Sequence, residues 1–179
     1  IGYKDASAHP ATITGLFNNL PNAMIGVPTG PTNGITVLDL DVRDEFNGIE
    51  NLRNLGLKVP HTVTSMTPSD GRHYFFKTEE LEIKCSASKI AQGVDVRGIG
   101  GYVVAPPSIS ENGDYVWLKA PYDDEAGFAE PPDFLLRGKP ISRPTSRRAG
   151  PTAHGQSDVS RRLLSPIHNG GRNVELTSR

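Results

Sequence analysis

Residues 35–42 read Ile-Thr-Val-Leu-Asp-Leu-Asp-Val, and this octet constrains the fold more than any other stretch of the chain. As a strand with side chains alternating at period two, it lines one face with Leu38, Leu40 and Val42 and the other with Val37, Asp39 and Asp41. The first face demands a covering layer, and the second sets two carboxylates side by side. Five further runs, 61–67, 72–77, 93–97, 102–105 and 114–118, read as strands bounded by Gly, Pro, Asp or Ser. A strand over 23–27 is followed by the turn-dense run 28–34, which predicts a hairpin with 35–42. Helices are expected over 10–17, with Pro10 at the first position and Ile13, Leu16 and Phe17 on one side, and over 45–55, apolar at Phe46, Ile49 and Leu52. This pattern is α+β with a mostly antiparallel sheet.

Composition narrows the class. A chain of 179 residues has room for one ordinary domain and some extra. The formal charge of −1 is unevenly spread, with net −6 over 1–140 and net +5 over 141–179. Residues 141–159 are rich in Ser, Pro, Arg and Gly, the composition of a flexible basic linker. The expected organisation is a catalytic core over 1–140, that linker over 141–159, and the start of a helical module over 160–179. A single cysteine, Cys85, excludes an intramolecular disulfide framework and any zinc site built on two or four cysteines. No run approaches the ~20 apolar residues of a membrane span, so no membrane partner is expected. The chain starts at Ile1 with neither an initiator Met nor a signal peptide, so it reads as a cytoplasmic fragment whose natural start lies upstream.

Three segments carry chemistry. Asp39 and Asp41 on one strand face repel each other unless a cation sits between them, and hard divalent cations take oxygen ligands of this kind. Chance alone supplies about 0.7 Asp-x-Asp triplets in a chain of this composition, so the apolar strand around the pair carries the signal. The run Ser69-Asp70-Gly71-Arg72-His73-Tyr74-Phe75-Phe76 is a tight turn feeding an aromatic strand, and Ser69, Arg72 and His73 offer donors to phosphate oxygens. Arg72 and His73 point to opposite faces of a regular strand; His73 is the candidate, against the competing reading of a structural core histidine. In Gly93-Val94-Asp95-Val96-Arg97-Gly98, Asp95 and Arg97 share a face. An ion pair is the plain reading of these two, but beside Asp39 and Asp41 a third carboxylate suffices for two metals about 4 Å apart. The phosphate-binding loop pattern ending in Gly-Lys-Ser/Thr, the dinucleotide Gly-x-Gly-x-x-Gly after a strand and Gly-x-Ser-x-Gly are all absent. Cys85 has no special setting.

Together, Gly26-Val27-Pro28-Thr29-Gly30 with Val37-Leu38-Asp39-Leu40-Asp41, the Ser69–Phe76 run, and Gly93–Gly98 through Gly101-Tyr102-Val103-Val104-Ala105-Pro106-Pro107-Ser108 resemble the bifunctional primase-polymerase family of the archaeo-eukaryotic primase superfamily, found in plasmid and phage replication proteins. The resemblance covers about residues 8–120. It implies a core like an RNA-recognition motif that makes and extends primers on a single-stranded DNA template from nucleoside triphosphates. By position, Asp39, Asp41 and Asp95 match the ligands of two divalent ions, Mg²⁺ or Mn²⁺. His73 matches a histidine that contacts the incoming triphosphate, with Ser69 and Arg72 as helpers, and Arg97 is added from strand geometry. The family usually has Gly where this chain has Asp70, and one strand of its core normally precedes the position of Ile1. The stretch 170–176 resembles the opening of the helical module that in relatives leads to a helicase. The cytoplasm, of the host if the protein is phage-encoded, is the implied location. The alternatives are a metal-dependent nuclease or phosphoesterase and a non-catalytic single-strand-binding module.

Overall fold

The computed structural model describes residues 3–78, 81–123 and 127–136. The linker and helical start expected within 141–179 lie outside the described residues.

After a 3-10 turn over Tyr3–Asp5 comes helix α1 (Pro10–Asn19), none of whose residues is buried. The strands follow as β1 (Ile25–Pro28), β2 (Ile35–Leu40) and the short pair β3 (Val42–Arg43) and β4 (Phe46–Asn47). Helix α2 (Gly48–Asn54) comes next, then β5 (Thr64–Met66), β6 (Arg72–Lys77), β7 (Ser86–Ala91), β8 (Val94–Arg97) and β9 (Tyr102–Ala105). The short strands β10 (Ile109–Ser110) and β11 (Gly113–Asp114), then β12 (Val116–Lys119) and helix α3 (Asp133–Leu136), complete the described fold. Six strands form one sheet in the order β12-β5-β6-β2-β8-β7, antiparallel at every pairing. The α+β class and the mostly antiparallel sheet follow the sequence expectation.

Central β2 explains why the octet is so apolar. Five of its six residues are buried, because both faces of the sheet are covered along most of the strand. On one face Leu38, Leu40, Phe76, Val94 and Val96 pack under Leu52 of α2 and under Phe134 and Leu135 of α3. Each fully buried side chain of this size contributes about 1.5–3 kcal/mol. Helix α2 starts where Asn47 Oδ1 accepts from the N–H groups of Ile49 and Glu50, 3.0 and 3.1 Å away, satisfying two otherwise unpaired donors. It ends just before Gly56, whose φ of 71° suits a left-handed helix stop. On the opposite face Val37, Val63 and Phe75 pack against Val27 and Val103 of a separate β1–β9 ribbon, with Trp117 against Phe75 at 5.5 Å between ring centroids.

Two local expectations are corrected. Strands β1 and β2 do not form a hairpin: β1 pairs with β9, Ile25 opposite Ala105 through Pro28 opposite Tyr102. The intervening turn is instead a 3-10 turn, Pro31–Asn33, closed by a single bridge between Gly30 and Ile35. The second helix is also shorter than 45–55, because Phe46 and Asn47 pair back on Arg43 and Val42 before the helix begins. Strand β7 has no counterpart in the sequence reading, since Ser-Ala-Ser-Lys-Ile-Ala lacks apolar alternation.

Candidate active site

Register brings the chemistry together. Asp39 on β2 lies opposite His73 of β6 on one side and Asp95 of β8 on the other, and Ser65 of β5 lies opposite His73. The row Ser65–His73–Asp39–Asp95 therefore crosses four strands at one level. It shares a face with Val37 and Phe75, one step further along the same strands. The β1–β9 ribbon covers those apolar neighbours, and the two middle members of the polar row, His73 and Asp39, line a cleft of about 710 Å³.

Asp41 follows the end of β2 and lines the same cleft. Its backbone is clamped: Asp41 N–H donates to the Gly93 carbonyl at 2.9 Å, and its own carbonyl accepts from Gly48 N–H at 2.8 Å. Oxygens of Asp39, Asp41 and Asp95 lie within 4.8 Å of one another.

The acids are held unequally. Arg97 donates from Nε and Nη2 to Asp39 Oδ2 at 3.1 and 3.0 Å, and from Nη2 to Asp95 Oδ2 at 3.0 Å. His73 Nε2 lies 3.3 Å from Asp39 Oδ1. The other oxygen of Asp95 accepts from Ser88 N–H at 2.8 Å. Ser88 sits at φ 49° in an irregular stretch of β7, where the register shifts between Ser86 and Ala91 and aims that N–H at the acid. The Asp41 carboxylate has neither a hydrogen bond nor an ion pair among the described residues.

Electrostatics follow from these contacts. Burial pushes the Asp39 carboxyl up, but His73 and Arg97 outweigh it and hold the group below the usual carboxylate range. Asp41 is raised, by burial and then by the charge of Asp39. Burial opposes the charge of Arg97, yet Asp39 and Asp95 dominate and raise its pKa. Tyr115, whose ring lies 6.1 Å from that of His73, is raised by burial and by Asp39 and Asp41.

The other sequence candidates are placed as follows. Ser69 is exposed, lines the cleft, and lies 3.3 Å from the Thr67 hydroxyl. Arg72 is not brought to the cleft: it lies on the helix-covered face, and its guanidinium donates to the Asp70 and Gly71 carbonyls at 2.7 and 2.8 Å, bracing the turn. Asp70 adopts φ 62°, the left-handed conformation that Gly takes freely and Asp tolerates better than most residues. That conformation accounts for Asp70 standing where the resembling family carries Gly. Sequence reasoning missed Tyr102, Arg43, Asn112 and Tyr115, which line the cleft, and the Ser88 N–H on Asp95. Alternation on β9 and the aromatic pair Tyr115 and Trp117 were the available signals. Cys85 also lines the cleft, its Sγ accepting from Gly98 N–H at 3.2 Å, so it does have a defined setting.

The donor set fits a hard divalent cation. It consists of clustered carboxylate oxygens, one of them on an acid with no hydrogen bond or ion pair among the described residues, and no soft ligand among them. The bifunctional DNA primase/polymerase N-terminal family matches residues 1–134, and the chain belongs to this family. Comparison with curated proteins and with solved structures finds no match. Among the described residues no helix is long and apolar enough to cross a membrane.

Proposed function

We propose that this domain is a template-dependent nucleotidyltransferase that makes and extends primers on single-stranded DNA in plasmid, phage or prophage replication. The observation that carries the reading is the clustering of Asp39, Asp41 and Asp95 within 4.8 Å of one another, with Asp39, Asp41, His73 and Arg97 lining one open cleft, in a chain of the primase/polymerase family. Asp39, Asp41 and Asp95 would hold two Mg²⁺ or Mn²⁺ ions. Such ions, when bound, lower the pKa of a primer 3′-hydroxyl and neutralise charge on the triphosphate and the leaving pyrophosphate.

The chain's own groups do the rest. Arg97 and the exposed Ser69 hydroxyl donate to triphosphate oxygens, and charge-assisted bonds of the first kind are the stronger. His73 holds Asp39 through Nε2, and the same edge of the ring meets a phosphate oxygen entering beside that carboxylate. Arg72 helps at one remove, by fixing the turn that carries Ser69. The single-stranded template pairs with the incoming nucleotide, and a helical module and a helicase are the further partners. A replication polymerase of this kind works in the cytoplasm, where its template is.

Extension of a labelled primer on single-stranded DNA with Mg²⁺ or Mn²⁺ tests the proposal, comparing the wild type with Asp39→Ala/Asp41→Ala. Template-dependent synthesis lost in the variant supports it. Cation-dependent degradation without synthesis would replace it with a nuclease, and binding without either reaction with a non-catalytic module.

A further inference from the structure

The cleft has two unlike walls. Asp39, His73 and Arg97 on the sheet, with Asp41 just past the end of β2, line one side, and the β1–β9 ribbon and the residue before it contribute an apolar rim of Met24, Tyr102 and Val104. Tyr102 is 56% exposed and Met24 46%, although Val103 and Ala105 next to them on the ribbon are buried. An aromatic ring left this open on a strand is not serving the core.

The ribbon is built to carry that ring. Tyr102 and Val104 lie on the outer face of β9, opposite Pro28 and Gly26. Gly26 has no side chain there, and a Cβ would come 3.8 Å from the Tyr102 Cδ2, so the ring reaches over bare backbone. Met24, which lines the same cleft, precedes the ribbon at the point where Ile25 donates its N–H to the buried Ser108 hydroxyl at 2.8 Å. Gly100 and Gly101 also line the cleft, and Gly101 has no space for a side chain, since a Cβ there would meet Cys85 Sγ at 2.7 Å.

A ligand suited to both walls is anionic at one end and flat and apolar at the other. We propose that Tyr102, flanked by Met24 and Val104, is the ledge on which the base of the incoming nucleoside triphosphate stacks while its phosphates face Arg97 and the acids. This inference rests on the polymerase reading and adds to it the orientation of the nucleotide. Stacking on an aromatic face tolerates every base, as a template-directed enzyme requires. A thioether and a branched aliphatic side chain beside the ring extend the apolar surface without fixing base identity.

The test separates base from phosphate. Binding of a deoxynucleoside triphosphate and of inorganic tripolyphosphate, each with Mn²⁺ and without DNA, is measured by calorimetry for the wild type, Tyr102→Ala and Tyr102→Phe. Tyr102→Ala is expected to weaken nucleotide binding about tenfold or more and to leave tripolyphosphate binding unchanged, with Tyr102→Phe close to wild type. Because Tyr102 is exposed, the Ala variant keeps its fold, which its melting curve verifies. Equal nucleotide binding by Tyr102→Ala overturns the ledge, whether or not that variant loses affinity for single-stranded DNA. Equal weakening of tripolyphosphate overturns it too, by making Tyr102 part of the phosphate site. A wild type that binds neither ligand overturns the polymerase reading along with the ledge.

Discussion

Asp39 and Asp95 stand directly opposite each other on neighbouring strands, and one guanidinium, that of Arg97, bonds both at 3.0 Å. Two facing carboxylates at 7% exposure repel strongly unless a positive charge joins them. Arg97 supplies that charge on two of the carboxylates that would hold a divalent cation. Arg97→Ala is therefore expected to lower stability in chelator by about 1–3 kcal/mol, the lower end being set by the partial exposure of Arg97. It is also expected to tighten Mn²⁺ binding by removing a competitor. Melting with and without Mn²⁺, together with calorimetric titration, checks both. Unchanged stability in chelator, or weaker Mn²⁺ binding, would show that Arg97 does not hold the acids together.

His73 faces Asp39 from the other side, so its substitution separates two roles. With the imidazole on the triphosphate, His73→Ala raises the nucleotide KM about tenfold or more while the affinity for single-stranded DNA changes little. Steady-state kinetics and a DNA-binding titration measure the two. The reverse pattern, DNA affinity lost and KM unmoved, would mark a core histidine.

Much of this was legible along the chain and some was not. Alternation in 35–42 puts Asp39 and Asp41 on one face; the observed strand stops at Leu40, short of the expected 42, yet Asp41 just past its end still lines the same cleft as Asp39. Period-two reasoning likewise separates His73 from Arg72, which the structure leaves on opposite faces. What period two cannot supply is strand order. Asp39 meets Asp95, and Arg97 58 residues away in the chain, because β8 lies beside β2, a pairing decided by how both faces are covered. The expected β1–β2 hairpin fails for the same reason. Pro and Gly in 28–34 are compatible with a hairpin, yet β1 has a better partner in β9, through which Val27 and Val103 bury together on Val37 and Phe75. Strand β7 is invisible locally because its function is positional: its irregularity turns the Ser88 N–H onto Asp95.

Ser65 next to His73 makes a sharper test of how the sheet is satisfied. Its hydroxyl is fully buried and has no hydrogen-bond partner among the described residues, and the same holds for His73 Nδ1 on the opposing strand. A buried hydroxyl without a partner costs stability, so Ser65→Ala is expected to leave stability unchanged or raise it by about 1 kcal/mol. Chemical denaturation measures this. A loss of about 1 kcal/mol or more would mean that Ser65 and His73 bond each other in solution.

Gly48 controls the aim of Asp41. A Cβ there would lie 2.0 Å from the Gly93 carbonyl oxygen and 3.0 Å from that of Asp41, the two backbones that clamp the acid. Ala is the better helix former by about 1 kcal/mol, and Gly48 is the first residue of α2, so propensity alone predicts stabilisation. The clash decides otherwise, because both obstacles are backbone and cannot rotate away. Gly48→Ala is expected to destabilise the protein by about 1–3 kcal/mol and to weaken Mn²⁺ binding by displacing Asp41. Gly15, within α1, gives the contrasting control. A Cβ there meets nothing within 4 Å, so Gly15→Ala should gain roughly the propensity difference of ~1 kcal/mol and leave Mn²⁺ binding alone. Denaturation and calorimetry on the pair decide the matter. If Gly48→Ala stabilises as Gly15→Ala does, the approach of α2 to the Gly93 turn is not tight, and the position of Asp41 does not depend on it.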